Sequence, residues 1–443
     1  MLECVVAMGS PESVSFFRSM AQRLGANVFR LPMPMLQPFV VVADPKLSRA
    51  ILEDVTTVKP EFLYRDAQLM TGGYSTIFSH RDHGTGSKWQ RTRKFVAAAF
   101  HPRHVHAMNV ACAECYVTWI NKVLDPAAAN GAPIDVCSEL LRTTMAFICR
   151  AGLCYEASDA ECLRLLNDIE VTTQVVFRIF AMIPLSSTFW FAFAKGRECH
   201  AAVNRTMAFA QKALDHYRAL PPATKRGAAT TIIGCIEANP AYASDEERCA
   251  EIITFLVGGH DTTALQVAWV LSDLAHHPDE QAQLRAELRA LPLDKRLTAP
   301  GLVAVIKESM RLSPVAAGGS LREVKRDFLI GNGPEVVTTG SIVVMPNALL
   351  FRNAVADAPD EFKPSRWLDV SMHKELDRYV TPFSVGRRNC VGQQLALAEL
   401  YTLIPLLVAD FEWQVVQSPT PKLFLTNKPD GLLLRAVKHR DPQ

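Results

Sequence analysis

Between Phe383 and Gly392 the chain reads Phe-Ser-Val-Gly-Arg-Arg-Asn-Cys-Val-Gly, which places one cysteine just ahead of a Leu- and Ala-rich stretch from Gln393 to Ile404. That stretch has neither Gly nor Pro, which predicts a buried helix that Pro405 kinks or ends. Cys390 then falls at a helix N-terminus, where free N–H groups and the macrodipole favour a thiolate over a thiol. Gly386 and Gly392 permit tight turns and close approach of the backbone. Arg388, just upstream of the cysteine, offers a cation to a carboxylate. A thiolate flanked by such groups meets the needs of a haem iron with an axial sulfur ligand and propionates to neutralise. A structural cysteine in a helix-opening loop is the other reading of the same residues.

Acid–base chemistry is suggested by Val257-Gly258-Gly259-His260-Asp261-Thr262-Thr263 in the middle of a long helical pattern. The two glycines weaken a helix by about 1 kcal/mol each relative to Ala, so a compensating purpose is expected. A gap in the side-chain surface can receive a flat ligand. Thr262 can bond the carbonyl one turn back and open a local kink. An alcohol beside the acid Asp261 makes a sensible proton relay. A helix bend with a solvated Asp is the plainer alternative, and His260 is assigned no role. Glu308 and Arg311, in Lys307-Glu308-Ser309-Met310-Arg311-Leu312, share one helix face at i, i+3, a pairing worth little on a surface.

These residues need elements to position them. Ser244 and Glu247 have capping-box spacing ahead of a helix expected from about Asp245 to His277. Residues 27 to 45 read as two short strands around a Pro-rich turn, and Pro45 opens a helix to about Glu53. From Trp89 to about Leu220 the pattern is helical, broken at Pro102, Pro126, Gly131 and Pro184. Further strands are expected at Phe328-Leu329-Ile330 and Ile342-Val343-Val344. The fold class is therefore mainly α with a small, sequence-split β portion. With 443 residues, 49% of them hydrophobic, and no repeat or long linker, residues 1–443 form a single large domain, with 1–26 as a loosely ordered N-terminal segment.

Lys plus Arg total 47 against 45 Asp plus Glu, which gives no argument for a nucleic-acid partner. The eleven cysteines show no secreted disulfide framework. Cys112 and Cys115 form a C-x-x-C without the second pair a zinc site needs. No segment reads as a signal peptide or a transmembrane helix. The apolar run Ile179 to Ala194, interrupted by Pro184, is a buried helix pair or a segment dipping into a membrane surface.

The chain resembles the cytochrome P-450 family, whose cysteine loop reads F-x-x-G-x-R-x-C-x-G. Phe383, Gly386, Arg388, Cys390 and Gly392 fill every fixed position. The resemblance implies haem b with an axial thiolate from Cys390. The run Gly258 to Thr262 is similar to the family's oxygen-binding groove, A/G-G-x-D/E-T, which implies that Thr262 hydrogen-bonds dioxygen and Asp261 feeds protons from solvent. Trp89 and Arg93 match W-x-x-x-R on a helix. With Arg322 of Ser320-Leu321-Arg322 and with Arg388 they are the implied propionate partners, although Arg91 and Lys94 leave an exposed basic helix start as the alternative. Glu308 and Arg311 match E-x-x-R, a buried pair completed here by Arg366, with a structural role.

The resemblance implies an oxidoreductase, a monooxygenase that inserts one atom of O2 into a small apolar substrate of lipid, terpenoid or sterol-like type. Its pocket would draw on residues 63–83, 171–194 and 313–320. No flavin or nicotinamide motif is present, so electrons would come from a flavin-containing reductase or a ferredoxin docking on a face with Lys94, Arg387 and Arg388. The chain starts close to its first β segment, without the N-terminal anchor and hinge of microsomal members, and residues 291–307 are short for the family. A naturally compact protein and an incomplete gene product are both compatible with that. The expected location is the cytosolic face of the endoplasmic reticulum, with peripheral membrane contact, or the cytoplasm. The competing readings are a haem-thiolate isomerase, dehydratase or peroxygenase that needs no reductase, a haem-binding sensor, and an inactive truncated relic.

Overall fold

The computed structural model describes residues 13–31, 39–81, 84–181 and 194–439. The helices that matter for the site are α1 (Ser13–Leu24), α2 (Pro45–Glu53), α3 (Lys88–Val96), α4 (Pro102–Trp119), α5 (Val136–Phe147), α6 (Asp159–Ala181), α7 (Ala194–Ala219), α8 (Asp245–His276), α9 (Pro300–Leu312) and α10 (Gln393–Val408). Strands β1 (Val28–Leu31), β2 (Phe39–Val42), β3 (Ser320–Glu323) and β4 (Ile342–Met345) form a sheet in the order β1-β2-β4-β3. Its central pair, β2 and β4, is parallel with Val40 beside Val343, and both neighbours run antiparallel. A hairpin, β5 (Thr420–Leu423) and β6 (Asn427–Asp430), lies near the C-terminal end.

Helix α8 is the axis of the core. Ser244 caps it by accepting the Glu247 N–H at 3.4 Å, while the Glu247 carboxylate reaches the Ala243 N–H at 2.7 Å, one residue earlier than a standard capping box. Ala264, Leu265, Val267, Ala268, Val270, Leu271 and Leu274 are all buried, so little of the helix after Asp261 faces water. Gly259 allows the close approach of the turn after α5, because a Cβ there would sit 2.9 Å from the Ile148 Cδ1.

The structure departs from the sequence expectations in several places. The N-terminal segment is helical from Ser13, and Phe17 and Ala21 are buried against β1 and β2. Helix α10 runs through Pro405 to Val408; the proline forgoes one backbone hydrogen bond, and burial of Leu407 and Val408 compensates. Pro126 breaks nothing: the π-helical turn Ile120–Leu124 leads directly into Asp125–Asn130, and that wider turn accommodates the missing N–H. A short strand, Pro133–Asp135, has no counterpart in the sequence expectations; it pairs with Leu433–Lys438, which in turn pairs with Phe411–Gln417. The Pro-rich turn at 32–38 and most of the 179–194 stretch, Pro184 included, lie outside the described residues. Among the described residues no helix is long and apolar enough to cross a membrane.

Helices α6 and α7 pair beside α8, joined by a Lys212–Glu161 ion pair at 2.7 Å and by a second, more buried one. The buried Asp168 receives the Arg205 Nε at 3.0 Å and its Nη2 at 2.5 Å. Truncation of Arg205 strands that carboxylate, so Arg205→Ala should destabilise the fold by about 1–3 kcal/mol in urea unfolding. A midpoint equal to wild type would show that the pair contributes nothing.

Candidate active site

The loop before α10 presents the Cys390 sulfur to open space inside the molecule. Cys390 counts as exposed by surface area, yet the protein encloses it closely enough that burial raises its thiol pKa. The N–H groups of Gly392 and Gln393, at the start of α10, and the Arg93 cation act in the opposite direction. The helix-end effect expected for a thiolate is thus present, and burial outweighs it. The Cys390 N–H donates to the Phe383 carbonyl at 2.8 Å, which closes the loop. Gly386 holds φ at +74°, and a Cβ there would lie 2.5 Å from the Leu52 carbonyl oxygen. Gly392 has an ordinary φ of −86°, and a Cβ there would meet only Phe100 at 3.7 Å and Cys390 Sγ at 3.9 Å. Only Gly386, therefore, is demanded by the backbone.

Helix α8 approaches the cysteine loop at two places. Phe100, next to Gly392, stacks on Phe255 of α8 with ring centroids 5.8 Å apart. Thr262 and Phe383 line one small cavity, together with Met310, Val315, Ala316 and Leu400. Thr262 donates to the Gly258 carbonyl at 2.7 Å, as its position predicts, and the helix stays unbroken. Gly258 is exposed, with nothing within 4 Å of its would-be Cβ, so the gap is real. Asp261 accepts the hydroxyl of Thr426 from the β5–β6 tip, a partner that no motif marks. His260 is buried, its Nδ1 donating to the Leu256 carbonyl at 2.7 Å, and burial holds its imidazole pKa low.

On the side of α3 the structure gathers cations. Trp89 donates its indole N–H to the Ile77 carbonyl at 3.2 Å, and Arg388 stacks over the Trp89 ring 4.0 Å from its centroid while donating to the His80 carbonyl at 2.7 Å. Arg93 bonds the cysteine loop itself, at the Asn389 carbonyl (2.9 Å) and side chain (2.5 Å). Arg322, on β3, is buried; burial lowers its pKa while the nearby Tyr64 opposes. Lys59, which no motif marked, is buried beside it, with its ammonium 4.1 Å from the Tyr64 ring centroid and donating to the Phe78 carbonyl. Burial, then Arg322 and Arg388, push that ammonium well below the ordinary lysine value.

Among the described residues no carboxylate pairs with Lys59 or Arg322. Buried charge of one sign without a counter-ion is costly. A ligand that brings its own carboxylates relieves that cost, so the donor set fits a haem with propionates, as do the open gap at Gly258 and the enclosed sulfur.

Two further buried acids lie outside the expected set or complete it. Glu251, on α8, accepts the Ile77 N–H at 3.2 Å, so the Ile77 peptide is held by α8 on one side and by α3 and the cysteine loop on the other. Burial pushes the Glu251 carboxyl up to about 8. Glu308 and Arg311 are fully buried, with paired contacts of 2.9 Å, and Arg366 joins them at 3.1 Å. Trp367 Nε1 (2.9 Å) and the Lys363 N–H (3.0 Å) complete the shell.

Two expectations need adjusting. Arg388 points inward, so the outward cations of the proposed docking face are Lys94 and Arg387. A roomier cavity of about 490 Å³ is lined by Arg49, Trp367, Gly386, Asn389 and Tyr401 but by neither Cys390 nor Thr262, so it is not the reaction chamber.

Comparison with known proteins agrees with this geometry. A family model described as Cytochrome P450 matches residues 4–440. Cytochrome P450 4F5 of Rattus norvegicus is 26% identical over 358 residues, 74% of this chain and 67% of that protein. Sugiol synthase of Salvia miltiorrhiza is 29% identical over 199 residues, 43% of this chain and 40% of that protein. The crystal structure of a cytochrome P450, CYP102L1, superposes with a TM-score of 0.80 over 96% of this chain and 98% of that one, at 23% identity, a likeness of fold.

Two outcomes test the site's framework. Glu308→Ala leaves Arg311 and Arg366 buried without a counter-ion, so it should destabilise the chain by about 3–5 kcal/mol in urea; a near-native midpoint would refute the buried triad. For Glu251 the folded pKa lies above the unfolded one, so its contribution is fully present below the unfolded value and is lost as pH rises through about 8. Relative to wild type, Glu251→Gln should therefore gain stability between about pH 5 and about pH 8. A pH-independent difference between the two proteins would contradict this.

Proposed function

Since this chain belongs to the cytochrome P450 family, we propose that Cys390 is the thiolate ligand of its haem b and that the protein inserts one atom of dioxygen into an apolar organic substrate. The observation that carries the reading is the enclosed Cys390 sulfur, with the N–H groups of Gly392 and Gln393 and the Arg93 cation directed at it. When bound, haem supplies dioxygen binding and oxygen transfer, helped by electron donation from the thiolate.

This chain's own residues do the rest. Lys59, Arg322, Arg388, Trp89 and Arg93 surround the place for the propionates, and Gly258 leaves room for the ring. Thr262, its proton committed to the Gly258 carbonyl, keeps lone pairs free to accept a hydrogen bond from the reacting oxygen or a water. Asp261 beside it is the group that moves protons inward. The intact pair favours oxygen activation over the isomerase and dehydratase readings, which need no such delivery. Glu308, Arg311 and Arg366 hold the scaffold and take no part in the chemistry. Pro314, Val315 and Ala316 line the cavity beside Thr262, which suits a lipid, terpenoid or sterol-like substrate. Electrons come from a flavin-containing reductase or a ferredoxin, and the exposed Lys94 and Arg387 suit an acidic partner surface.

The first test is the absorption spectrum of the purified protein, reduced with dithionite and exposed to carbon monoxide. Wild type should show a strongly red-shifted Soret band that Cys390→Ser loses. A band at the position of histidine-ligated haem in wild type would sink the assignment.

A further inference from the structure

Asp261 does not stand free beside Thr262: its Oδ2 accepts the hydroxyl of Thr426, brought to α8 by the turn between β5 and β6. That turn is itself firmly held. Trp269, about two turns further along α8, donates its indole N–H to the Asn427 carbonyl at 2.8 Å. The Asn427 N–H donates to the Val315 carbonyl at 2.8 Å, and Leu423 packs with Ala317 and Ala348. The hydroxyl that meets Asp261 is thus fixed by the residue next to it, and that residue is bonded to a wall of the cavity Thr262 lines.

A free aspartate on a helix flank samples several rotamers. A charge-assisted hydrogen bond from a fixed donor selects one of them, and proton delivery is sensitive to misplacement of about 1 Å. Neither the neighbouring His260 nor Thr262 can do this work, because each commits its donor to a backbone carbonyl of α8. Resting on the function proposed above, we infer that Thr426 is a positioning residue for proton delivery, holding the Asp261 carboxylate in the orientation from which it serves Thr262.

The consequence can be written as a balance. In productive turnover one O2 takes two electrons from the donor and two protons, one oxygen goes to the substrate and the other leaves as water. When the second proton is not delivered to the oxygen destined to leave as water, the same O2, two electrons and two protons leave together as hydrogen peroxide. Misplacing Asp261 therefore shifts the partition and need not stop electron consumption.

The test uses the haem-loaded protein with a flavin reductase, NADPH, and lauric acid as an apolar probe, scoring peroxide per hydroxylated product. Thr426→Val should raise that ratio by about 3- to 10-fold, Thr426→Ser should restore the wild-type value, and Thr426→Val should add nothing in an Asp261→Asn background. In urea unfolding of the same proteins, Thr426→Val and Asp261→Asn should fail to add, which reads the contact without turnover. If Thr262→Ala diverts electrons to peroxide while Thr426→Val does not, the inference falls and the monooxygenase reading stands. Equal uncoupling by Thr426→Val and Thr426→Ser, or additive unfolding effects, also overturns it, by leaving only a packing role. If wild type makes no product from any apolar probe, or Thr262→Ala leaves the ratio unchanged, the proposed function fails and takes this inference with it.

Discussion

One buried carboxylate ties helix α9 to the irregular segment that follows the central sheet. Glu308 accepts from five donors: two nitrogens of Arg311, one of Arg366, the Trp367 indole and the Lys363 N–H. The guanidinium groups direct their remaining donors at backbone carbonyls, Arg311 at Pro359 and Glu361, Arg366 at Asp357 and Ala358. The irregular segment 357–367 is thereby tied to α9 by charge-assisted bonds in place of regular structure. Such a cluster is a poor way to gain net stability, since desolvation cancels much of the attraction. What it supplies is a penalty on departure, because an arrangement that broke these bonds would leave two buried guanidinium groups unpaired.

The opposite holds on the side of α3. Lys59 and Arg322 are also buried but lack a matching carboxylate among the described residues. The same physical rule separates the two regions: a satisfied buried network is structural, and an unsatisfied one marks where a ligand must supply the missing charge. Ile77 braces the cation side against α8, its N–H on Glu251 and its carbonyl receiving Trp89 and Arg388.

Much of this was legible in the sequence because the chemistry there is local. Cys390, Gly386 and Arg388 lie within one loop, Asp261 and Thr262 within one turn, and Glu308 and Arg311 on one helix face, so spacing alone groups them. Helix α8 was legible to within a residue because its cap and its apolar run are continuous. Lys59, Glu251 and Thr426 were not legible, since each acts across a long sequence separation and none sits in a spaced pattern. Thr426 meets Asp261 only because a hairpin more than 150 residues later folds back onto α8. Pro405 and Pro126 misled for a related reason: local propensity argues for a break, while burial of the flanking residues at Pro405 and the π-helical turn ahead of Pro126 offset the penalty.

Burial and ligation pull the Cys390 sulfur in opposite directions, and that opposition links folding to the cofactor. In the chain by itself burial outweighs the Gly392 and Gln393 N–H groups and Arg93, and the thiol pKa is raised. A metal ion deprotonates a coordinating thiol outright, so binding releases a proton and turns those same N–H groups from minor corrections into hydrogen bonds to a charged sulfur. On the function proposed above, the same event would bring carboxylates to Lys59 and Arg322. Both electrostatic costs belong to the folded, ligand-free chain and both are relieved together. The cofactor therefore stabilises the native state beyond its own apolar contacts, by mass action on a site the fold leaves electrostatically incomplete. The Glu308 cluster, complete within the chain, gains nothing from that event, which is why it can hold the 357–367 segment on α9 before any ligand arrives.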